Sequence, residues 1–220
     1  MRSHICLVAF AGALIMLGAS GASAQWSGPF VGAELPGSID SVDTTETTAA
    51  TGAIFHKFTS SGGGIGGGAN LGYNWQAGQL AFGALASFDR LSNGAGKVLH
   101  TSDDYAGLLE ARLGYLSNPM LLWYGETGLA LAQENVTANL GGPATASQSR
   151  TATGYALGGG VEWGLPMQTL PVAAATSLFA DYQHIWWDSG SMTTPAAAPN
   201  LDFRWQRESN IVRLGARLHF

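Results

Sequence analysis

Along the last stretch of the chain apolar and polar positions alternate. Val212, Leu214, Ala216, Leu218 and Phe220 fall on one parity, and Ile211, Arg213, Gly215, Arg217 and His219 on the other. A period of two marks a β-strand with one greasy and one polar face. The same alternation recurs upstream in segments of about ten residues, the length of a tilted membrane-crossing strand. The pattern predicts eight strands, at 28–35, 64–75, 80–89, 105–115, 120–133, 153–164, 177–187 and 209–220. An even count returns both chain ends to the same side of a closed sheet.

The connections follow a rule of their own. Those at 36–63, 90–104, 134–152 and 188–208 are long and rich in Thr, Ser, Gly, Ala, Asn or Pro, whereas 76–79, with Gly78, and 116–119, with Ser117-Asn118, are tight turns. The connection at 165–176 departs from this asymmetry: it is longer and holds Pro166 and Pro171. Long loops outside the cell alternating with short periplasmic turns is the arrangement of outer-membrane barrels. A soluble β-sandwich also alternates. The choice between the two depends on where the protein resides.

The beginning of the chain answers that question. Arg2, the apolar run from Ile5 to Gly18, and Ala22-Ser23-Ala24 make the three parts of a cleavable export signal. The apolar run is too short for a membrane-spanning helix. Residues 1–24 are therefore expected to be a signal peptide and 25–220 a single barrel domain. Cys6, the only cysteine, lies inside the leader and leaves neither a disulfide nor a lipid anchor to the mature chain.

Composition agrees with an apolar solvent. Charged residues make up 11% of the chain, against about 25% in an ordinary soluble domain. The 10 Lys and Arg against 15 Asp and Glu, a net charge of −5, leave no electrostatic footprint for nucleic acid. Export, low charge and a C-terminal aromatic together select an all-β fold, an eight-stranded antiparallel up-and-down transmembrane β-barrel.

Strand parity then sorts side chains into an outer and an inner set. With Leu109, Ala111, Leu113, Tyr115, Leu121, Trp123 and Leu129 toward lipid, Glu110, Arg112, Tyr124 and Glu126 face the lumen. Glu162, Asp181, Gln183, Arg213 and Arg217 join them. Eight strands enclose only enough space for side chains, so Glu110, Arg112, Glu126, Glu162, Asp181, Arg213 and Arg217 are expected to pair as a structural charge network that plugs the lumen. Trp26, Trp75, Trp123, Trp163, Trp186 and Trp187, with Tyr73, Tyr115 and Tyr182, stand near strand ends and are expected to form interfacial girdles.

Other chemistry finds less support. The glycine-dense run 60–68 lacks the lysine and the following helix of a phosphate loop. No pair of His, Asp or Glu recurs at metal-ligand spacing, and no cofactor is implied. His184, near Asp181 and Ser189, is the best candidate for a catalytic base, but it falls on the lipid-side parity and Gln183-His184-Ile185-Trp186 does not match the His-x-Ser-Asn arrangement of lipid A deacylases.

Several segments, taken in order, carry a family resemblance. Trp26-Ser27-Gly28-Pro29-Phe30-Val31-Gly32 is similar to the W-T-G-x-Y-x-G opening strand of small α-proteobacterial outer-membrane β-barrel proteins of the RopB type, which have an outer-membrane protein A-like transmembrane barrel. GANLGYNWQ at 68–76 and EARLGY at 110–115 resemble that family's next motifs. YGETGLA at 124–130, GGGVEW at 158–163, FADYQ at 179–183 and VRLGARLHF at 212–220 resemble its later strands. The resemblance implies the eight-stranded barrel; with the last strand ending at Phe220, the peptidoglycan-binding domain that many larger relatives carry is not expected. Glu110 stands where the family often has Arg, and Leu85 and Ser87 where acidic residues are usual.

The expected role is non-enzymatic: envelope integrity, with loops presented outside the cell. A lipid A-modifying enzyme and a small solute channel are the alternatives. The expected partners are outer-membrane lipid and lipopolysaccharide, and the barrel-assembly machinery, which reads a C-terminal signal formed by Phe220 with Leu218, Ala216, Leu214 and Val212. A dispersed lipid face suggests a monomer, and loop composition names no loop partner.

Overall fold

In the computed structural model, residues 26–48, 51–92, 99–139, 145–165, 175–193 and 201–220 are described. The expected signal peptide and much of the 165–176 connection lie outside them.

The sheet closes on itself. Its strands are β1 (Gly28–Thr48), β2 (Ile54–Ala77), β3 (Leu80–Ser92), β4 (Leu99–Asn118), β5 (Leu121–Asn139), β6 (Thr145–Gly164), β7 (Ala175–Trp187), β8 (Gly190–Thr193) and β9 (Leu201–His219). Each pairs antiparallel with its neighbour, and β1 pairs with β9 to complete the ring. Gly190 of β8 meets Trp205 of β9 just beyond the last β7 pair, Trp186 with Glu208, so β8 extends β7 after a break at 188–189. The ring therefore has eight strand positions, as expected.

Alternation sets the two faces. On β1, Phe30, Glu34, Ser38, Asp40, Val42, Thr44 and Glu46 are buried inward, while Val31, Leu35 and Ile39 are exposed outward. Around the ring Leu71, Leu109, Leu113, Leu129, Leu131, Leu157, Leu214 and Val212 continue that outer apolar belt. An exposed belt of this extent is the surface that lipid covers.

Aromatic residues border it. Trp75, Phe82, Tyr115, Trp123, Trp163 and Phe220 lie near the short-turn end, and Phe88, Tyr105, Tyr155 and Trp186 toward the other. Two of the expected girdle residues are corrected. Trp26 is 1% exposed and its Nε1 donates to the Pro119 carbonyl at 3.0 Å, sealing the barrel floor from inside. Trp187 is also internal, with Nε1 donating to Ser209 Oγ at 2.8 Å. Adjacent strand residues face opposite ways, so Trp186 and Trp187 could not share a girdle.

The strands run well past the belt. Four expected loops are largely strand: β1 and β2 pair as far as Thr47 with Ile54, β4 begins at Leu99, β5 and β6 pair to Asn139 with Thr145, and β9 starts at Leu201. Beyond the membrane the outer face meets water, so Ser41, Asp43, Thr45 and Thr47 replace the apolar outer residues of β1. The hydrophobic alternation disappears there while backbone pairing continues.

The extension divides. Among the described residues, 54–64 of β2 pair only with β1, 99–105 of β4 only with β5, 145–153 of β6 only with β5, and β8 only with β9. Two ribbons result, β8-β9-β1-β2 and β4-β5-β6. Between them Val42, Met192, Leu201, Phe203 and Trp205 of the first pack against Val136 of the second.

Candidate functional site

The lumen is organised in layers whose members come from strands far apart in sequence. At the short-turn end Trp26, Ala81, Leu116, Leu122 and Tyr124 form an apolar floor. Above it, Glu162 of β6 is the hub of the first charged layer. Its Oε2 accepts from Arg217 Nη1 at 2.6 Å and from Arg112 Nη1 at 2.9 Å, and its Oε1 accepts from Ser177 Oγ at 2.5 Å. Both guanidinium groups are 1% exposed. Each lies over an aromatic face, Arg112 over Tyr124 and Arg217 over Phe179, both at 3.7 Å. Delocalised, weakly hydrated guanidinium tolerates this combination of burial, forked donors and ring contact better than a lysine would.

A second layer forms around Arg213. Its Nε donates to Asp89 Oδ2 at 3.0 Å and its Nη1 to Gln183 Oε1 at 2.5 Å, with Asp181 at 3.8 Å. The Gln183 amide in turn donates to both Glu110 and Glu126. One glutamine thus couples an arginine to two carboxylates. Tyr124 Oη donates to Asp181 at 3.3 Å, and Arg217 Nε donates to Asn70, whose Nδ2 donates to Glu34 at 2.6 Å.

Glycines make these contacts possible. Gly160 sits between Tyr124 and Asp181 in the register. A Cβ there would lie 2.8 Å from Tyr124 Oη and 2.6 Å from Asp181 Cβ. Gly32 likewise leaves the space in which Arg217 reaches Asn70, a Cβ falling 2.7 Å from Asn70 Oδ1. Large lumen side chains meet across a strand that contributes none.

All seven acidic and basic residues expected to form the network lie in the lumen, each at most 6% exposed. Arg213 meets Asp89 and Arg217 meets Glu162. Sequence reasoning left out Glu34, Asn70, Asp89, Ser177 and His219. Glu34 was legible from parity, between outward Ala33 and Leu35. Asp89 is the last residue of the expected third strand, on the inward parity of Leu85 and Ser87, and β3 continues past it to Ser92. It supplies the β3 acid where Leu85 and Ser87 stand inward without one.

Above the charged layers comes an apolar one of Ala106, Leu108, Ala130, Ala132, Ala152, Ala156, Ile185, Trp187 and Ile211. A third polar group crowns it between the ribbons. Arg150 Nε donates to Glu134 Oε2 at 2.6 Å, Trp205 Nε1 donates to Glu134 Oε1 at 3.3 Å, and Arg207 Nη1 lies 3.8 Å from the same carboxylate.

Ser177, His219 and Glu162 have the composition of a hydrolytic triad but not its geometry. Ser177 Oγ lies 3.0 Å and Glu162 Oε1 2.9 Å from the same histidine nitrogen, Nε2. A relay needs the acid on one ring nitrogen and the nucleophile on the other. Here Ser177 donates directly to the acid, and Ser177 and His219 are 1% and 5% exposed. His184, the base considered from sequence, is on the outer wall with Asn210 Oδ1 at 2.9 Å and Glu208 at 3.6 Å. Among the described residues no group of three or more His, Cys, Asp or Glu could hold a metal ion.

The residues of the expected C-terminal signal share the outer face. Phe220, Leu214 and Val212 are exposed, and Ala216 and Leu218 are half-buried between them. The Phe220 N–H donates to the Pro29 carbonyl at 2.9 Å, which ties the end of the chain to its first strand.

No model of a known protein family matches the chain. It is 37% identical over 103 residues to a 22 kDa outer membrane protein of Rhizobium leguminosarum bv. viciae, across 45% of this chain and 44% of that one. It is 29% identical over 162 residues to a 31 kDa outer-membrane immunogenic protein of Brucella melitensis, across 64% of this chain and 65% of the relative. The chain thus matches less than two thirds of either relative's length. Among solved structures, the outer membrane protein OprG of Pseudomonas aeruginosa superimposes with a TM-score of 0.52 at 14% identity, over 90% of this chain and 99% of that one. A lipid-facing belt, aromatic borders, a closed ring of eight strands and these likenesses converge: the chain is an outer-membrane β-barrel protein of the Gram-negative envelope, similar to outer-membrane proteins of Rhizobium and Brucella.

Proposed function

We propose that this barrel is non-enzymatic and non-conducting, that it contributes to envelope integrity, and that its extracellular ribbons present an interaction surface. The single observation carrying this reading is the layered filling of the lumen, from the Trp26 floor through the Glu162 and Arg213 networks to the crown at Glu134. Paired, aromatic-stacked arginines do not offer the unpaired charge that a permeating ion follows. The Ser177-His219-Glu162 geometry supports the non-enzymatic part. Outer-membrane lipid and lipopolysaccharide are the proposed surroundings of the belt, the assembly machinery is the proposed reader of the Phe220 strand, and the barrel acts as a monomer. Planar-bilayer recording tests the central claim: purified protein is expected to leave the current at the protein-free baseline. Sustained conductance steps would overturn it in favour of a solute channel.

A further inference from the structure

The ribbon β4-β5-β6 ends in a strand with one free side. β6 pairs with β5 along its whole length but with β7 only from Gly154 onward. Its open edge has a definite direction. The Thr153 N–H donates to Asp188 Oδ1 and the Thr153 carbonyl accepts from the Asp188 N–H, so both groups of Thr153 point away from β5. Backbone polar groups along a strand alternate sides in register with the residues. Thr151, Ser149 and Ser147 therefore also turn their N–H and C=O outward, and among the described residues no strand meets them.

This edge also has little of the usual protection. Natural edges are blunted by Lys, Pro, bulges or inward charges. Residues 147–153 read Ser-Gln-Ser-Arg-Thr-Ala-Thr, with no Pro, Gly or Lys. The one inward charge, Arg150, is neutralised by Glu134 and Asp188. The other ribbon edges differ: 54–64 of β2 carry Lys57 and Gly62-Gly63-Gly64, 99–105 of β4 carry Asp103-Asp104, and β8 is only 4 residues long.

We propose that the open edge of β6 at residues 147–151 docks an extended, uncharged peptide segment from outside the cell by adding it as a further strand. This deepens the interaction-surface part of the proposed function and rests on it. Selection is by backbone: two hydrogen bonds at each of residues 147, 149 and 151, beside a row of small hydroxyls. The neutral edge gives a charged partner no counter-charge. A second copy in the same membrane stands upright beside the first, so its β6 would run parallel, the less stable pairing per residue. A peptide arriving from solution is free to run antiparallel.

The test uses the barrel in lipid nanodiscs and a fluorescein-labelled eight-residue peptide of alternating Thr and Val, capped at both ends. Proline is tolerated on an edge where its missing N–H faced solvent, so Ser149→Pro combined with Thr151→Pro removes two outward donors. The wild type is expected to bind the peptide, and the double variant to lose at least about tenfold in affinity. A copy of the peptide N-methylated at every second residue is expected not to bind. Should the double variant fail to fold, slowed hydrogen exchange at residues 147, 149 and 151 of the wild type on adding peptide reads the same contact. Equal binding by wild type and variant, or none by the wild type, overturns the proposal. Edge-dependent self-association of the wild type overturns it too, because the occupant is then a second copy. Failure of the filled-lumen reading would register as conductance instead, so the two failures are separable.

Discussion

Glu162 is the residue on which the membrane layer depends most. It accepts from two buried arginines and from Ser177, so Glu162→Gln leaves guanidinium charge unpaired in a low-dielectric interior. Breaking such a pair costs about 3–5 kcal/mol, and the urea midpoint of unfolding is expected to fall accordingly. Replacing both Arg213 and Arg217 by Glu is expected to impair assembly, scored by gel migration of the folded form, far more than His184→Ala on the outer wall. Equal assembly of these variants would remove the network from its structural role. The glycines supply a paired comparison. Gly160→Ala forces a methyl against Tyr124 and Asp181, whereas at Gly125 a Cβ meets only the Gly158 carbonyl at an ordinary 3.8 Å. The first is expected to destabilise by about 1–3 kcal/mol and the second to be nearly neutral, as read from denaturation curves. Parity identified Arg213 and Arg217 as internal. It could not identify Asp89 and Glu162 as their acceptors, because those partners lie on strands brought together only when the ring closes.

At the scale of the strand, apolar periodicity reports the solvent on the outer face rather than the strand itself. It located the apolar part of the strands and stopped near where lipid gives way to water, on β1 at Leu35, one outward apolar residue short of Ile39. The ribbons beyond are held instead by Val42, Val136, Met192, Leu201, Phe203 and Trp205 and by the Glu134 crown. Trp205→Ala removes the largest member of that cluster and its hydrogen bond to Glu134. Amides of 201–206 are expected to exchange markedly faster in the variant, since a Trp→Ala truncation costs about 3–5 kcal/mol where the ring was packed. Migration of the folded barrel is expected to remain unchanged, because Trp205 belongs to the cluster between the ribbons and to neither apolar layer of the lumen below it. Coupled loss of both would show that ribbons and barrel form one cooperative unit.

For the whole molecule, closure is the property with an experimental signature. Every strand is paired on both sides within the belt, including β1 with β9, so no edge is left in the hydrocarbon. The folded form is expected to resist unboiled detergent and to migrate differently after boiling; a band that does not shift would count against a closed barrel. What the sequence by itself determined is the period-2 alternation, the even number of strands and the parity of each side chain, because these are local properties of an extended chain between lipid and a crowded interior. It also carried the short turns, through Gly78 and Ser117-Asn118. Only the tertiary structure decided which charges meet, that Trp26 turns under the floor, that polar segments continue as strands, and that the extension parts into two ribbons with β6 open at one side. Those features depend on register and on glycines that let side chains meet across a strand, and such contacts exist only once distant strands stand next to one another.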